Sequence, residues 1–212
     1  MNTPVCVVLA ALASGAAAQW YNGDPDNVNG QAAEFNTTVS DAFVFENFNH
    51  GGGSFYSGFG NFYISTNVQG CIYELRSGVS NGFGGTRIAG GDVGDRWRLV
   101  RNHVDGHGYL GYTLHMWLPG PGFNLPAGEY MLAISPIGDG TGRAFVQTTS
   151  GEDSWGTPIN DYRNWFYSTY FAANYSENQL GAAGYSYGLG WPAPPSSLAI
   201  LEFAALASRR RR

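Results

Sequence analysis

Short apolar runs, separated by glycine or Asp/Asn residues, follow one another from Ala42 to Tyr175. This spacing constrains the fold more than any other feature, because each run is long enough for a strand and too short for a stable helix. The runs are Ala42–Phe48, Asn61–Thr66, Cys71–Ser77, Thr86–Ala89, Arg96–Asn102, Tyr109–Leu118, Glu129–Ser135, Arg143–Thr149 and the aromatic-rich Trp165–Tyr175. Alternation is clearest in Leu110, Tyr112, Leu114, Met116 and Leu118, which are expected to share one sheet face, with Tyr109, Thr113, His115 and Trp117 on the other. Tyr130, Leu132 and Ile134 form a second inward set. The pattern predicts an all-β fold, a single antiparallel β-sandwich of jelly-roll type, with an up-and-down barrel as the rival. Pro119–Gly128 reads as a turn-rich loop that interrupts any ladder.

Composition agrees with one such domain. The 212 residues include 31 glycines and 15% aromatics, so turns are plentiful and large side chains can fill a core. Between Gln19 and Gly190, fifteen acidic residues face seven arginines, and that excess argues against nucleic acid as a partner. The chain contains no lysine, a feature without a physical account.

The two ends differ from the body. An apolar stretch from Val5 to Ala13 precedes the small-residue series Ala16–Ala18, the pattern of a secretory signal helix cut after Ala18 to leave Gln19 as the new terminus. No Lys or Arg precedes Val5, and a buried first strand or helix is the alternative. The reading gives a signal peptide at 1–18, a sandwich domain at 19–190 and a terminal segment at 191–212. Cys6 would leave with the signal, so Cys71 is expected as a lone, buried thiol with no disulfide partner.

Within the body, His103, Asp105 and His107 alternate as metal ligands can, yet Asp105-Gly106 is also a hairpin-turn dipeptide. A metal there needs a third ligand such as His50 or His115. Asn22–Gly30 clusters carboxylates and amides, and Asp24 and Asp26 are its candidate ligands for a structural calcium ion. An Asx-rich turn before the first strand is the competing reading. Ser150–Gly156 sets Glu152 and Asp153 beside a serine and a tryptophan, either as glycosidase acids or as a solvated loop. Gly84–Gly91 is glycine-rich without phosphate-loop spacing. Trp117, Trp155 and Trp165 are candidates to stack on sugar rings or to serve as core. Asn36 and Asn174 open glycosylation sequons of a kind common by chance. No serine-nucleophile elbow and no His-Glu-x-x-His pair is picked out, and no enzyme is expected.

At the C-terminus, Pro192, Pro194 and Pro195 end the body, and Leu198–Ala207 is apolar apart from Glu202. Arg209, Arg210, Arg211 and Arg212 then place charge where it suits a helix C-terminus and anionic lipid. As a helix this segment reaches about 20 Å, whereas a bilayer core spans about 30 Å. Glu202 adds roughly 2.5–3.5 kcal/mol to insertion if charged at mid-bilayer. The segment is therefore suited to transient membrane association, with a plain closing helix as the bland alternative.

Proline motif, short apolar helix and arginine cluster, in that order, resemble the PEP-CTERM sorting signal of exported bacterial proteins. The motif here is Pro192-Ala193-Pro194, with alanine where the family has glutamate, and Glu202 is a second departure. The body segments beginning "QWYNGDPDNVNG", "YELRSGVSNGFGGT" and "LPAGEYMLAISPIG" also look like exported β-sandwich proteins that carry such tails. The resemblance implies export by the secretion machinery and processing by an exosortase-type membrane protease-transpeptidase. It further implies display at the cell surface or in an exopolysaccharide and biofilm matrix. The expected role is structural or adhesive, without catalysis; a carbohydrate-binding module is the alternative, and a glycoside-active hydrolase a third reading.

Overall fold

A computed structural model describes residues 20–118, 122–156, 158–177, 180 and 182–190. The signal segment with Ala16, Ala18 and Gln19, and the tail with Pro192, Ala193, Pro194 and Arg209–Arg212, lie outside the described residues, as do both expected terminal helices. The described chain is all-β. Its strands are β1 (Trp20–Tyr21), β2 (Pro25–Ala32), β3 (Phe43–Phe55), β4 (Ser57–Ile64), β5 (Val68–Ser77), β6 (Thr86–Asp92) and β7 (Trp97–Arg101). They continue with β8 (Leu110–Trp117), β9 (Phe123–Gly138), β10 (Ala144–Thr149), β11 (Asn164–Ser168), β12 (Ala173–Glu177), β13 (Gly184–Tyr185) and β14 (Tyr187–Leu189).

Two antiparallel sheets result, in a sandwich-like arrangement. One runs β12-β11-β3-β9-β5-β6. In the other, β7 pairs with β8 and β8 with one edge of β4, while the far edge of β4 is shared by β14 and β10. The last segment of the body bridges those two strands, with Tyr187–Leu189 on β4 and Gly184–Tyr185 on β10. Ser186 is the switch point: its N–H donates to the Gln147 carbonyl at 3.0 Å and its carbonyl accepts from Asn61 N at 2.9 Å.

The core lies between the sheets because each contributes one apolar row. Phe62, Leu114, Met116, Val146 and Tyr187 meet Val44, Phe48, Leu75, Leu132 and Ile134, and the Tyr187 hydroxyl donates to the Ile134 carbonyl at 3.0 Å. Tyr130, Leu132 and Ile134 take the inward places expected of them. Cys71 is fully buried, and burial pushes its thiol well above the ordinary value. Leu110 departs from its row: it is 48% exposed at the first position of β8.

The proline-rich stretch is the main correction. Pro119–Gly128 is expected to break the ladder, yet β9 starts at Phe123 and pairs with β3 through Leu125↔Gly53 and Ala127↔Gly51. Pro126, with no N–H to give, falls at the position the ladder skips, opposite Gly52, whose φ of 93° bends β3 away. Most of Asn22–Gly30 falls in strand β2, which pairs with β10 through Gly30–Ala32 and again at Pro25. Between these the Asx-rich turn is kept, with the Val28 N–H donating to Asp26 Oδ1 at 2.9 Å and Asn27 at a φ of 57°.

One surface carboxylate ties the corner where β9 crosses to β10. Asp139 Oδ1 accepts from Thr141 N at 3.0 Å, Thr141 Oγ1 at 2.6 Å and Thr66 Oγ1 at 3.1 Å. These bonds, led by the Thr141 hydroxyl, hold its carboxyl down at about 2, below an ordinary 3.8. The stability this supplies is complete above pH 3.8 and is lost as pH falls toward 2. Urea denaturation across that window should therefore show Asp139→Asn less stable than the parent at neutral pH, with the difference closing in acid.

Candidate functional site

The outer face of the β4-containing sheet carries a cleft of ≈ 390 Å³, within the range of small-ligand sites. Strand alternation explains its floor: Phe59 and Asn61 of β4 and Thr113 and His115 of β8 point away from the core that Phe62, Leu114 and Met116 enter. Tyr21 of β1 and Trp155 form one wall, and Asn102 and Val104, from the connection between β7 and β8, form the other.

Asn61 organises the floor. Its Nδ2 donates to Ser186 Oγ at 2.8 Å and to the Tyr21 hydroxyl oxygen at 3.3 Å. Its Oδ1 accepts from Thr113 Oγ1 at 2.6 Å and Asn102 Nδ2 at 3.2 Å. Ser186 Oγ donates onward to the Gly23 carbonyl at 2.7 Å, and the Tyr21 hydroxyl donates to Asp24 Oδ1 at 2.6 Å. Burial first, and then that bond to Asp24, pushes the Tyr21 phenol far above its usual range, so it stays a neutral donor. Burial, helped by the charge of Arg98, lowers His115 from its ordinary value and keeps the imidazole neutral at pH 7. The rings follow one another in tilted contact, Tyr21 against Phe59 at 5.2 Å between centroids and Phe59 against His115 at 6.0 Å. The floor is thus uncharged, aromatic and rich in oriented amide and hydroxyl groups. Asp24 is the one carboxylate among the described lining residues.

Glycine makes the second wall. A side chain at Gly111 would run into the Val104 carbonyl and Asn102 Oδ1, so only glycine lets the loop lie flat on β8. The loop reverses at His107-Gly108, with φ of 54° and 81°, a two-residue turn two positions beyond the expected Asp105-Gly106. Asp105 is committed elsewhere: it pairs with Arg101, which lowers its carboxyl, and accepts from Gly111 N at 2.8 Å.

The sequence candidates disperse. His107 Nε2 lies 3.0 Å from the Val28 carbonyl, whereas His50 is buried among Phe48, Phe55 and Tyr130. Among the described residues no group of three His, Cys, Asp or Glu side chains is placed to hold a metal. Asp24 lines the cleft, but Asp26 lines a different cavity and accepts from Thr148 Oγ1 at 2.6 Å. Glu152 and Asp153 are exposed, and their loop instead delivers Trp155, which exchanges backbone bonds with Tyr21. Trp117 and Trp165 stand away from the cleft lining; Trp165 packs on the far face of the other sheet, against the Phe43–Phe45 cluster. Asn36 caps its own turn through the Thr38 and Val39 amides, while Asn174 is exposed. The sequence reading also misses that Gly78-Val79-Ser80-Asn81-Gly82 has G-x-S-x-G spacing. It forms the β5–β6 hairpin turn, with Ser80 exposed and bridged to Phe83, not a strand-to-helix elbow.

Asn61, Asn102 and Ser186 went unrecognised because single amides and hydroxyls carry no motif. Only the outward alternation of Thr113 and His115 pointed to the floor. Comparison with family models, curated proteins and solved structures finds no match to the chain.

Replacing Gly111 with alanine should cost roughly 1–3 kcal/mol by overpacking and lift the 102–108 loop from the sheet. Chemical denaturation reads the first effect, and increased amide exchange at Val104 reads the second.

Proposed function

We propose that the chain is an exported, non-catalytic protein of the cell surface or extracellular matrix, whose adhesive role rests on binding a neutral glycan in the cleft of the jelly-roll-like body. The observation that carries the glycan reading is the cleft floor itself. Sugars present apolar ring faces edged by hydroxyls, and aromatic rings alternating with fixed amides and hydroxyls match both. Tyr21, Phe59 and Trp155 supply the aromatic lining, with Trp155 the least covered of the three rings, while Asp24, Asn102, Thr113 and His115 present polar edges. The low charge of the site suits a neutral ligand better than a phosphate or sulfate ester. Retaining and inverting glycosidases need two facing acids, and Asp24 provides one.

Export rests on the ends of the sequence: the signal-like residues up to Gln19 and the tail from Pro192 to Arg212. In this reading the secretion machinery removes residues 1–18. An exosortase-type membrane protease then processes the tail near Pro192-Ala193-Pro194 while the apolar segment and Arg209–Arg212 hold it briefly at the inner membrane.

Two measurements test this. Glycan-array screening followed by calorimetry should find a neutral oligosaccharide ligand without release of reducing ends, and Trp155→Ala should weaken binding roughly tenfold or more. Retention of no glycan would remove the adhesive reading. Mass spectrometry of the native protein should find Gln19 at the N-terminus and no residues beyond the proline motif; intact ends would remove the export reading.

A further inference from the structure

Between the sheets lies a second polar cluster, separate from the cleft. Glu46 of β3 occupies the inward row with Val44 and Phe48, is 1% exposed, and has Asn164 of β11 as its cross-strand neighbour. Glu46 Oε2 accepts from Tyr185 N at 2.8 Å, and the Asn22 amide nitrogen also reaches the carboxylate while donating to the Tyr185 carbonyl at 3.2 Å. Asn160 Nδ2 donates to the Asn22 carbonyl at 3.3 Å. Among the described residues no basic side chain pairs with Glu46, and Asp161 adds a second negative charge nearby.

Three side-chain oxygens here are buried without a hydrogen-bond partner: Oδ1 of Asn22, Asn160 and Asn164. Asn22 and Asn164 are 0% and 2% exposed. Each such group goes without the partner that buried polar atoms ordinarily have, and here they gather around a carboxylate that no described basic side chain pairs. The position of Gly184 shows where the Asn160 oxygen, the Asn22 amide and Glu46 converge, with Asn164 entering as the cross-strand neighbour of Glu46. A Cβ built there would sit 3.0 Å from Glu46 Oε1 and 2.9 Å from Asn160 Oδ1, and against the Asn22 amide. Glycine leaves a notch with oxygen atoms on two sides.

We infer that this notch is a calcium site, with Glu46 as its carboxylate ligand and the side-chain oxygens of Asn160, Asn164 and Asn22 as its neutral ligands. Half a turn of the Asn22 amide brings Oδ1 to where Nδ2 now faces Glu46. The donor set is all oxygen, as a hard cation requires, with neither thiolate nor imidazole to favour zinc. Calcium accepts six to eight oxygens in irregular geometry, completed by carbonyls or water, whereas magnesium demands an octahedron and holds its hydration shell. The site differs from the Asp24–Asp26 loop that the sequence suggests, since those carboxylates are already occupied by Tyr21 and Thr148.

The rival occupant is a proton on Glu46, which burial favours by raising its carboxyl well above the ordinary value. The two are separated by thermal unfolding and calorimetry of the full chain after chelation, with and without millimolar calcium or magnesium. Calcium should raise Tm, magnesium should act far more weakly, and Glu46→Gln should abolish the response. Asn160→Asp decides the case even if Glu46→Gln fails to fold. A carboxylate in place of the amide oxygen should tighten calcium about tenfold, because ligand charge sets affinity in such sites. If Glu46 merely holds a proton, the same change sets a second acid beside it and destabilises the protein whether or not calcium is present. No calcium response in the parent, a response that survives Glu46→Gln, or weaker binding by Asn160→Asp would each overturn the assignment.

Discussion

Asn61 uses every hydrogen-bonding capacity that its amide has. Two donors reach Tyr21 and Ser186, and one oxygen accepts from Thr113 and Asn102. A buried amide that is fully satisfied stabilises; one left half-paired costs more than an apolar side chain would. The consequence is positional. β1, β4, β8, the last strand segment and the β7–β8 loop are all tied to one side chain, and their arrangement defines the cleft. Fold and candidate site therefore share a single polar hub and cannot be altered independently.

The hub is needed because β4 is buried on both faces. Its inner row joins the core, while Phe59, Asn61 and Tyr63 are covered from outside by β1, the β7–β8 loop and the Ser150–Gly156 loop. Hydrophobic burial is non-directional and cannot fix where such covering segments lie. Directional bonds can: the Gln147 amide donates to the Val104 carbonyl at 2.9 Å, and the Tyr63 hydroxyl donates to Asn27 Oδ1 at 2.7 Å. Both hold covering segments in place without filling the cleft.

What could be read from the sequence follows from the same division. Strands with one buried face announce themselves, as Thr113-Leu114-His115-Met116 does by alternation. β1, β2, β13 and β14 do not, because their partners rather than their own side chains make them strands. Pro126 misleads for a related reason: a proline excludes a ladder only where the ladder needs its N–H, and Gly52 removes that need. The cleft was partly visible in Thr113, His115 and Trp155. Its organising residues come from positions 21, 61, 102 and 186, and only the closed sheet brings them together.

Successive residues at the start of the body connect the outer cleft to the interior oxygens. Trp20 points inward and stacks on Phe48 at 4.6 Å, Tyr21 points outward into the cleft, and Asn22 points inward again beside Glu46. Whatever neutralises Glu46 therefore acts on the backbone that carries Tyr21. That backbone is held on one side by Leu189 and Gly188 and on the other by Trp155. A short strand with two registered pairs has little rigidity of its own. Its order must come from the side chains it sends to either face, so a cation fixed below Asn22 would stiffen one wall of the cleft above without entering the cleft itself.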